Sequence, residues 1–418
     1  MTVAPPDLAD LDIASHEAYA HGIPHEPFAL LRAHDPVHWH PWDWKTGGFW
    51  AVTKYEDVVT VSKDAKTFSS AAEFINLWDL DEEAQEARRS MLETDPPEHT
   101  RLRRIVSSAF TPKTVRDYEE PTRRITVGLL DAALATGEVD WVEAVSAPLP
   151  INVFVSILGI PDEDADFMVE LSDALVAGTS ANPPDPGAYG NVTPLHLLPF
   201  QSPASHAMFE YGRRIGEERR RNPTDDLVSR LVHAEVDGDR LSDQEYCNFF
   251  QVLVFAGNET TRTAMSHGIL ELARHPEQLE RLHADPSLIP TAIEEIVRYA
   301  SPVVHFRRTA TRDTELRGVP IKAGERVVMW YASANFDEEV FPDPLHFDVG
   351  RQNGESVAFG GGGPHYCLGA WLARLELRVL LEEMLARGIR VELAGEPDYV
   401  PSNFVRGIHS LPVRLTQR

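Results

Sequence analysis

The sequence predicts a mainly α fold with a minor β part, built as one domain over residues 1–418. Three observations lead there. Apolar residues recur at helical spacing through most of the chain. One helix candidate, residues 242–275, has a middle (FFQVLVFAG) that is apolar on nearly every side, so it should cross the interior rather than lie on the surface. No internal repeat or low-complexity linker offers a cut point.

The elements follow in order. Residues 1–35 read as an N-terminal extension. Between 36 and 70 the runs VHWH and FWAV suggest short strands, and a helix over 56–63 follows. From 100 to 137 the spacing of Val106, Ala109 and Phe110, then Ile125, Leu129 and Leu130, is helical. Further helices fit 150–158, 163–175, 205–220 and 225–235. Residues 178–204 contain ANPPDPGAYGNVTPLHLLPFQSP, whose prolines and glycines make a long irregular loop. It is either a tolerated surface insertion or a lid, since long loops in compact domains often carry function. After the long helix come a helix over 287–300 and short β-like segments from 303 to 329. A last long helix starts near Cys367 and ends about Arg387, and IRVEL and LPVRL close the chain as strands.

Charge and cysteine count narrow the function. With 39 Lys+Arg against 65 Asp+Glu the net charge is −26, which argues against nonspecific binding to nucleic acid or anionic membranes. Two cysteines, Cys247 and Cys367, make no disulfide framework and suggest a reducing compartment. No signal peptide and no membrane-spanning run is visible, so a soluble, cytoplasmic protein is expected.

The most informative stretch is FGGGGPHYCLG, residues 359–369. Four glycines permit tight turning and let something large and flat approach the backbone. The run fails the phosphate-loop pattern, which needs Lys then Ser/Thr, and both registers of the dinucleotide pattern. A zinc site would need further ligands, and only His365 is near. What remains is a thiol at the start of a long apolar helix, where the dipole and free N–H groups favour thiolate. Such a thiolate suits the proximal ligand of a haem iron. A buried inert cysteine is the other reading, and it leaves the glycines unexplained. Cys247 has no such surroundings and reads as plain core.

Within the long helix, Ala256-Gly257-Asn258-Glu259-Thr260-Thr261 places a costly glycine in a helix interior. A small residue there opens room for dioxygen. The Thr260 hydroxyl is spaced to bond the Ala256 carbonyl four residues back, with an acid, Glu259, beside it. Helix packing alone is the competing explanation. Glu295 and Arg298 lie three apart on one helix face among Ile293, Ile296 and Val297, either a solvated pair or part of a buried network.

Taken together these motifs resemble the cytochrome P-450 superfamily along nearly the whole chain. Counting back from Cys367, Gly369 and Gly363 match the family's FxxGxxxCxG loop, while Phe359 sits one residue early. The resemblance implies the P-450 fold, haem b, and Cys367 as axial ligand, with Phe359, Gly369, Ala256 and Gly257 against the cofactor. It implies that Thr260 and Glu259 supply protons for oxygen activation. It also implies that His99, Arg103, Arg307 and His365 bind the haem propionates. Glu295, Arg298 and Arg351 would form a structural charge network. Placed by family register, the substrate lining draws on the segment 74–80, the 178–204 loop, and Phe249, Leu253, Ala256, Val303, Val304, Phe306 and Phe404. His305, Ser402 and Asn403 would orient a polar group at one end.

The function implied is a haem-thiolate monooxygenase acting with O2 on a hydrophobic sterol, branched lipid, terpene or polyketide. Electrons would come from a ferredoxin and its reductase. The likeness is greatest to soluble actinobacterial enzymes that hydroxylate methyl-branched lipids and sterol side chains. Arg101 and Arg104 are candidates for docking an acidic electron donor, or are simply solvated. A haem-thiolate sensor without turnover and a peroxide-driven enzyme are the alternatives; the Thr260–Glu259 pair speaks against both.

Overall fold

The structure is a computed structural model that describes residues 8, 11–43, 47–78, 85, 89–178, 185–352 and 354–417. The expectations for residues 1–7, 9–10, 79–80 and 179–184 lie outside the described residues.

The chain opens with α1 (His25–His34), β1 (Val37–Pro41), β2 (Gly48–Val52), α2 (Tyr55–Lys63) and β3 (Phe68–Ser69). The segment read as an extension is packed in: Ile13, Tyr19, Phe28 and Leu31 share a core cluster with Phe49 and Trp330. Next come α3 (Glu98–Ser107), α4 (Pro112–Arg116), α5 (Glu119–Thr136) and β4 (Glu138–Asp140). The helical spacing over 100–137 is thus cut into three pieces. Pro112 begins a new helix because it lacks an N–H to continue the old one, and Thr111 caps it.

There follow α6 (Pro148–Leu158), α7 (Ala165–Ala177), α8 (Ala204–Arg221) and α9 (Leu227–Val232). The last is shorter than the expected 225–235, because Val236 and Asp239 bridge across a turn with Asp237 and Gly238 at positive φ. The long helix α10 is Asp243–Arg274. Ser242 and Glu245 start it with a reciprocal capping box. Its 32 residues span about 48 Å and are buried through the middle except on one face, where Val252, Ala256, Gly257 and Thr260 open onto a cavity. Gly268 lets it approach the next-but-one helix closely: a Cβ there would sit 2.9 Å from Ile296.

A helix the spacing did not suggest, α11 (Pro276–Ala284), precedes α12 (Ile289–Ala300). Then come β5 (His305–Ala310), β6 (Thr314–Leu316), β7 (Val319–Ile321), β8 (Arg326–Trp330) and the short α13 (Tyr331–Ala334). Helix α14 (Ala370–Ala386) begins three residues after Cys367, and β9 (Ile389–Leu393), β10 (Asp398–Tyr399), β11 (Ile408–Ser410) and β12 (Pro412–Gln417) close the chain. The main sheet runs β1-β2-β8-β5-β3, with only the β2–β8 pair parallel. The fold is mainly α with small sheets, as the sequence predicts. Among the described residues no helix is long and apolar enough to cross a membrane.

Candidate cofactor and active site

One large internal cavity, about 1820 Å³ of atom-free space with its mouth included, lies between α10, the 359–369 loop and β5. It gathers most of the residues singled out in the sequence.

Cys367 opens onto this cavity, while dense protein surrounds the sulfur on its other sides. Burial pushes its pKa up; N–H groups of Gly369 and Ala370 and the charges of Arg103 and Arg374 pull it down without reversing the shift. The net direction is opposite to that expected from a helix start alone. The protein by itself therefore keeps a thiol here, and a bound cation is needed to favour thiolate.

The glycine run has a more local purpose than the sequence suggests. Gly360, Gly362 and Gly363 have φ of +95°, +85° and +74°, values costly for any side chain. A Cβ on Gly363 would meet the Ser62 carbonyl at 2.4 Å, and one on Gly361 the Ser62 hydroxyl at 2.8 Å. The glycines let the loop lie directly against the end of α2. Phe359 still faces the cavity, its carbonyl accepts the Cys367 N–H at 2.9 Å, and the Arg374 guanidinium covers its ring at 4.3 Å.

At one rim the cavity is cationic. His99, Arg103, Arg308 and His365 line it, and among the described residues none of them forms an ion pair. His99 is buried with both ring nitrogens unpartnered, 4.2 Å from the His365 ring. Burial lowers His99 to about 4 and His365 to about 2, and it lowers Arg103 and Arg308 as well. These groups are held out of water without counter-charge, which a ligand bearing carboxylates would supply.

Arg307 is a correction. Along β5 successive side chains point to opposite faces, so Phe306 and Arg308 line the cavity while Arg307 does not. The Arg307 Nε donates to the Phe74 carbonyl and its Nη2 lies 3.6 Å from Glu73. The same alternation was the signal in the sequence that would have found Arg308. Val304 is a second correction: it is fully buried in the cluster of Phe28, Phe49 and Trp330, away from the cavity. His305, Ser402 and Asn403 do not line it either, since His305 Nδ1 turns to the Asn403 carbonyl and the Asn403 amide to Ala14.

On α10 the Thr260 hydroxyl donates to the Ala256 carbonyl at 2.8 Å, as the spacing predicts. Glu259 is buried beside it, and its Oε2 has no hydrogen-bond partner. Burial raises its pKa; Arg262, 3.7 Å away, opposes this and Asp173 reinforces it. The space beside Gly257 is filled by the Phe154 ring, where a Cβ would lie 2.0 Å from the ring edge, so close helix packing accounts for that glycine.

Phe249, Leu253, Ala256, Val303, Phe306 and Phe404 form the apolar wall. Sequence reasoning did not single out Phe200, which stacks on Phe255 at 4.1 Å and carries part of the 178–204 loop over the cavity. Asn76 lies in the segment 74–80 that the resemblance placed in the lining, while Tyr331 and Glu376 were passed over. Away from the cavity, Arg298 grips Glu295 with two bonds of 2.8 and 2.9 Å, and Arg351 Nε reaches the same carboxylate at 3.1 Å. The guanidiniums also take the carbonyls of Asn335, Pro344, Pro342 and His346, so every charge is paired. Arg101 and Arg104 are engaged by Asp239, Glu245 and Asp237 of the same chain, so they are not the free cations that docking an acidic donor calls for.

A family model described as Cytochrome P450 matches residues 41–387. The chain is 40% identical to the methyl-branched lipid omega-hydroxylase of Mycobacterium tuberculosis over 422 residues, covering 98% of this chain and 96% of that one. It is 38% identical to the steroid C26-monooxygenase of Mycolicibacterium smegmatis over 417 residues, covering 98% and 94%. Among solved structures, a Mycobacterium marinum cytochrome P450 in complex with pseudoionone matches with TM-score 0.86 and 41% identity over 99% of this chain and 100% of that one.

Proposed function

The chain belongs to the cytochrome P450 family and is a monooxygenase, and from that premise we propose that it hydroxylates a large, mainly hydrocarbon substrate. The substrate class is a sterol, branched lipid, terpene or polyketide. The family carries haem, and the type we propose is haem b. The observation that carries the reading is the pairing, in one cavity, of an accessible sulfur with a rim of two desolvated arginines, Arg103 and Arg308, and two neutral histidines, His99 and His365.

Bound there, haem supplies the metal centre at which dioxygen is reduced and one oxygen atom passes to substrate. Cys367 Sγ would hold the haem, with the Gly369 and Ala370 N–H groups supporting charge on the sulfur. His99, Arg103, Arg308 and His365 take its carboxylates, which answers the unpaired cations. Glu259, whose pKa burial raises, holds a proton at its carboxyl near Thr260. The Thr260 hydroxyl, anchored on Ala256, passes protons toward the cavity. The apolar wall and Phe200 exclude water. Electrons come from a ferredoxin with its reductase, in the cytoplasm. The 178–204 loop acts as a lid on this reading, because Phe200 closes part of the cavity roof.

The test is spectroscopic. The reduced protein with carbon monoxide should show the strongly red-shifted Soret band of a thiolate-ligated haem, and Cys367→His should abolish it. An unchanged band in that variant overturns the assignment of Cys367.

A further inference from the structure

Among the described residues, four side chains of the cavity wall carry buried polar atoms that lack a hydrogen-bond partner. They are Asn76 Oδ1, both ring nitrogens of His99, Glu259 Oε2 and both carboxyl oxygens of Glu376. His99 and Glu259 already have tasks in the reading above. Glu376 lies on α14 with Leu372, Ala373 and Leu377, and burial alone raises its pKa well above the ordinary carboxylate value, so it stays neutral. Asn76 differs from all three. It is uncharged and 4% exposed.

Its segment is fixed against β5. The Ile75 carbonyl accepts the Arg307 N–H at 2.7 Å, and the Phe74 carbonyl takes the Arg307 side chain. The rings continue the line: Phe74 meets Trp78 at 5.4 Å, Trp78 meets Phe404 at 6.0 Å, and Phe404 meets Phe306 at 5.7 Å. Asn76 therefore belongs to the end of the cavity bounded by Phe306 and Phe404. An amide fixed there among aromatic rings costs stability unless something in the cavity bonds it.

The chemistry of that partner can be narrowed. A carboxylate brings no hydrogen to a free acceptor oxygen. An ammonium would sit beside the cations of the adjacent β5, Arg307 and Arg308, and be repelled. A neutral hydroxyl remains, and because it both donates and accepts it matches either end of a carboxamide.

We propose that Asn76 is a specificity-determining residue whose carboxamide binds a hydroxyl on an otherwise hydrocarbon substrate at the Phe306–Phe404 end of the cavity. The assignment rests on the apolar-substrate reading above. It replaces His305, Ser402 and Asn403 as the polar end of the pocket.

The experiment uses the haem-loaded enzyme and two ligand pairs, cholesterol with cholest-5-ene and phytol with phytene, titrated by the shift of the Soret band. The wild type should bind the hydroxylated member of at least one pair about tenfold or more tighter than the hydrocarbon. Asn76→Leu and Asn76→Ala should keep their haem, bind the hydrocarbon at least as well as the wild type, and lose the preference. A preference that survives in either haem-retaining variant overturns the assignment and leaves the apolar-substrate reading standing, as does a wild type that binds both members alike. Loss of haem from both variants overturns it too, because Asn76 would then serve the cofactor's carboxylates. If no member of either pair shifts the spectrum, the apolar-substrate reading falls and this assignment with it.

Discussion

A hydroxyl bonded to its own helix is a weak feature anywhere else in a protein. At Thr260 it matters because the Ala256 carbonyl it holds and the Glu259 carboxyl beside it both line the cavity. Removing the hydroxyl removes a proton carrier and leaves the wall almost unchanged in shape. Thr260→Ala should keep the haem spectrum and substrate affinity, while product formed per electron consumed falls about tenfold or more. The measurement is the ratio of hydroxylated product to reductant oxidised, and an unchanged ratio removes Thr260 from proton delivery. Glu376 allows a prediction with a definite sign. Burial raises its folded-state pKa, so above the ordinary value of 4.5 the folded protein keeps a proton that the unfolded chain releases. Its contribution is therefore fully present below that pH and is lost as pH rises toward the folded pKa, at a limiting slope of about 1.4 kcal/mol per pH unit. Glu376→Gln should be stabilised relative to wild type more at pH 8 than at pH 5, read from urea unfolding midpoints. Equal differences at both pH values would mean that Glu376 is ionised in the folded state. Cys367, Thr260 and Glu259 were legible in the sequence because each sits in a run whose composition is odd for its element. Arg308 was not, and within the segment 74–80 Asn76 was not singled out. Finding the first requires the phase of a strand, and finding the second requires knowing which buried amide lacks a partner.

The elements carry their own constraint in the 359–369 loop. Its glycines look, in sequence, like clearance for a ligand; in the structure Gly361 and Gly363 clear the end of α2. A close approach between segments some 300 residues apart cannot be read from either alone. The same holds for Gly257, whose reason is the Phe154 ring on α6. Gly363→Ala combines a positive φ with a Cβ 2.4 Å from the backbone carbonyl of Ser62, which cannot move aside cheaply. It should cost at least about 1–3 kcal/mol of stability and loosen haem retention, because the same loop carries Cys367. Gly128→Ala, in α5 with open space around it, is the control and should be neutral or stabilising by up to about 1 kcal/mol. Thermal unfolding and the haem-to-protein absorbance ratio of the two variants test this. Equal behaviour would mean that the loop does not need its left-handed turns. Helix α10 shows the opposite case, since an apolar run on every side and a capping box gave its course and its start without any tertiary information.

At the scale of the whole molecule the charge distribution decides what the cavity can hold. The chain carries 26 more negative than positive charges, yet the cavity rim collects two arginines, Arg103 and Arg308, that form no ion pair among the described residues. Two carboxylates of a bound haem would neutralise much of that rim, leaving a remainder that is apolar. Phe249, Leu253, Val303, Phe306 and Phe404, with Phe200 above, can offer a substrate dispersion and release of water but no countercharge. A small, highly polar molecule would give up its hydration there and gain one amide contact at most. A large hydrocarbon loses nothing and buries more area with each added carbon, at about 25 cal/mol per Å². The expected ligand is thus a big, neutral, mostly hydrocarbon molecule. A titration panel of sterol, fatty acid, terpenoid, macrolide and small polar aromatic compounds should give tight spin-state shifts for members of the first four classes. Hydroxylated product should follow when a ferredoxin and its reductase supply electrons. If only the small polar aromatics bind tightly and are hydroxylated, the apolar wall does not set specificity. The roles argued for Cys367 and the cationic rim stand independently of that result, because they rest on the sulfur and the arginines rather than on the apolar wall.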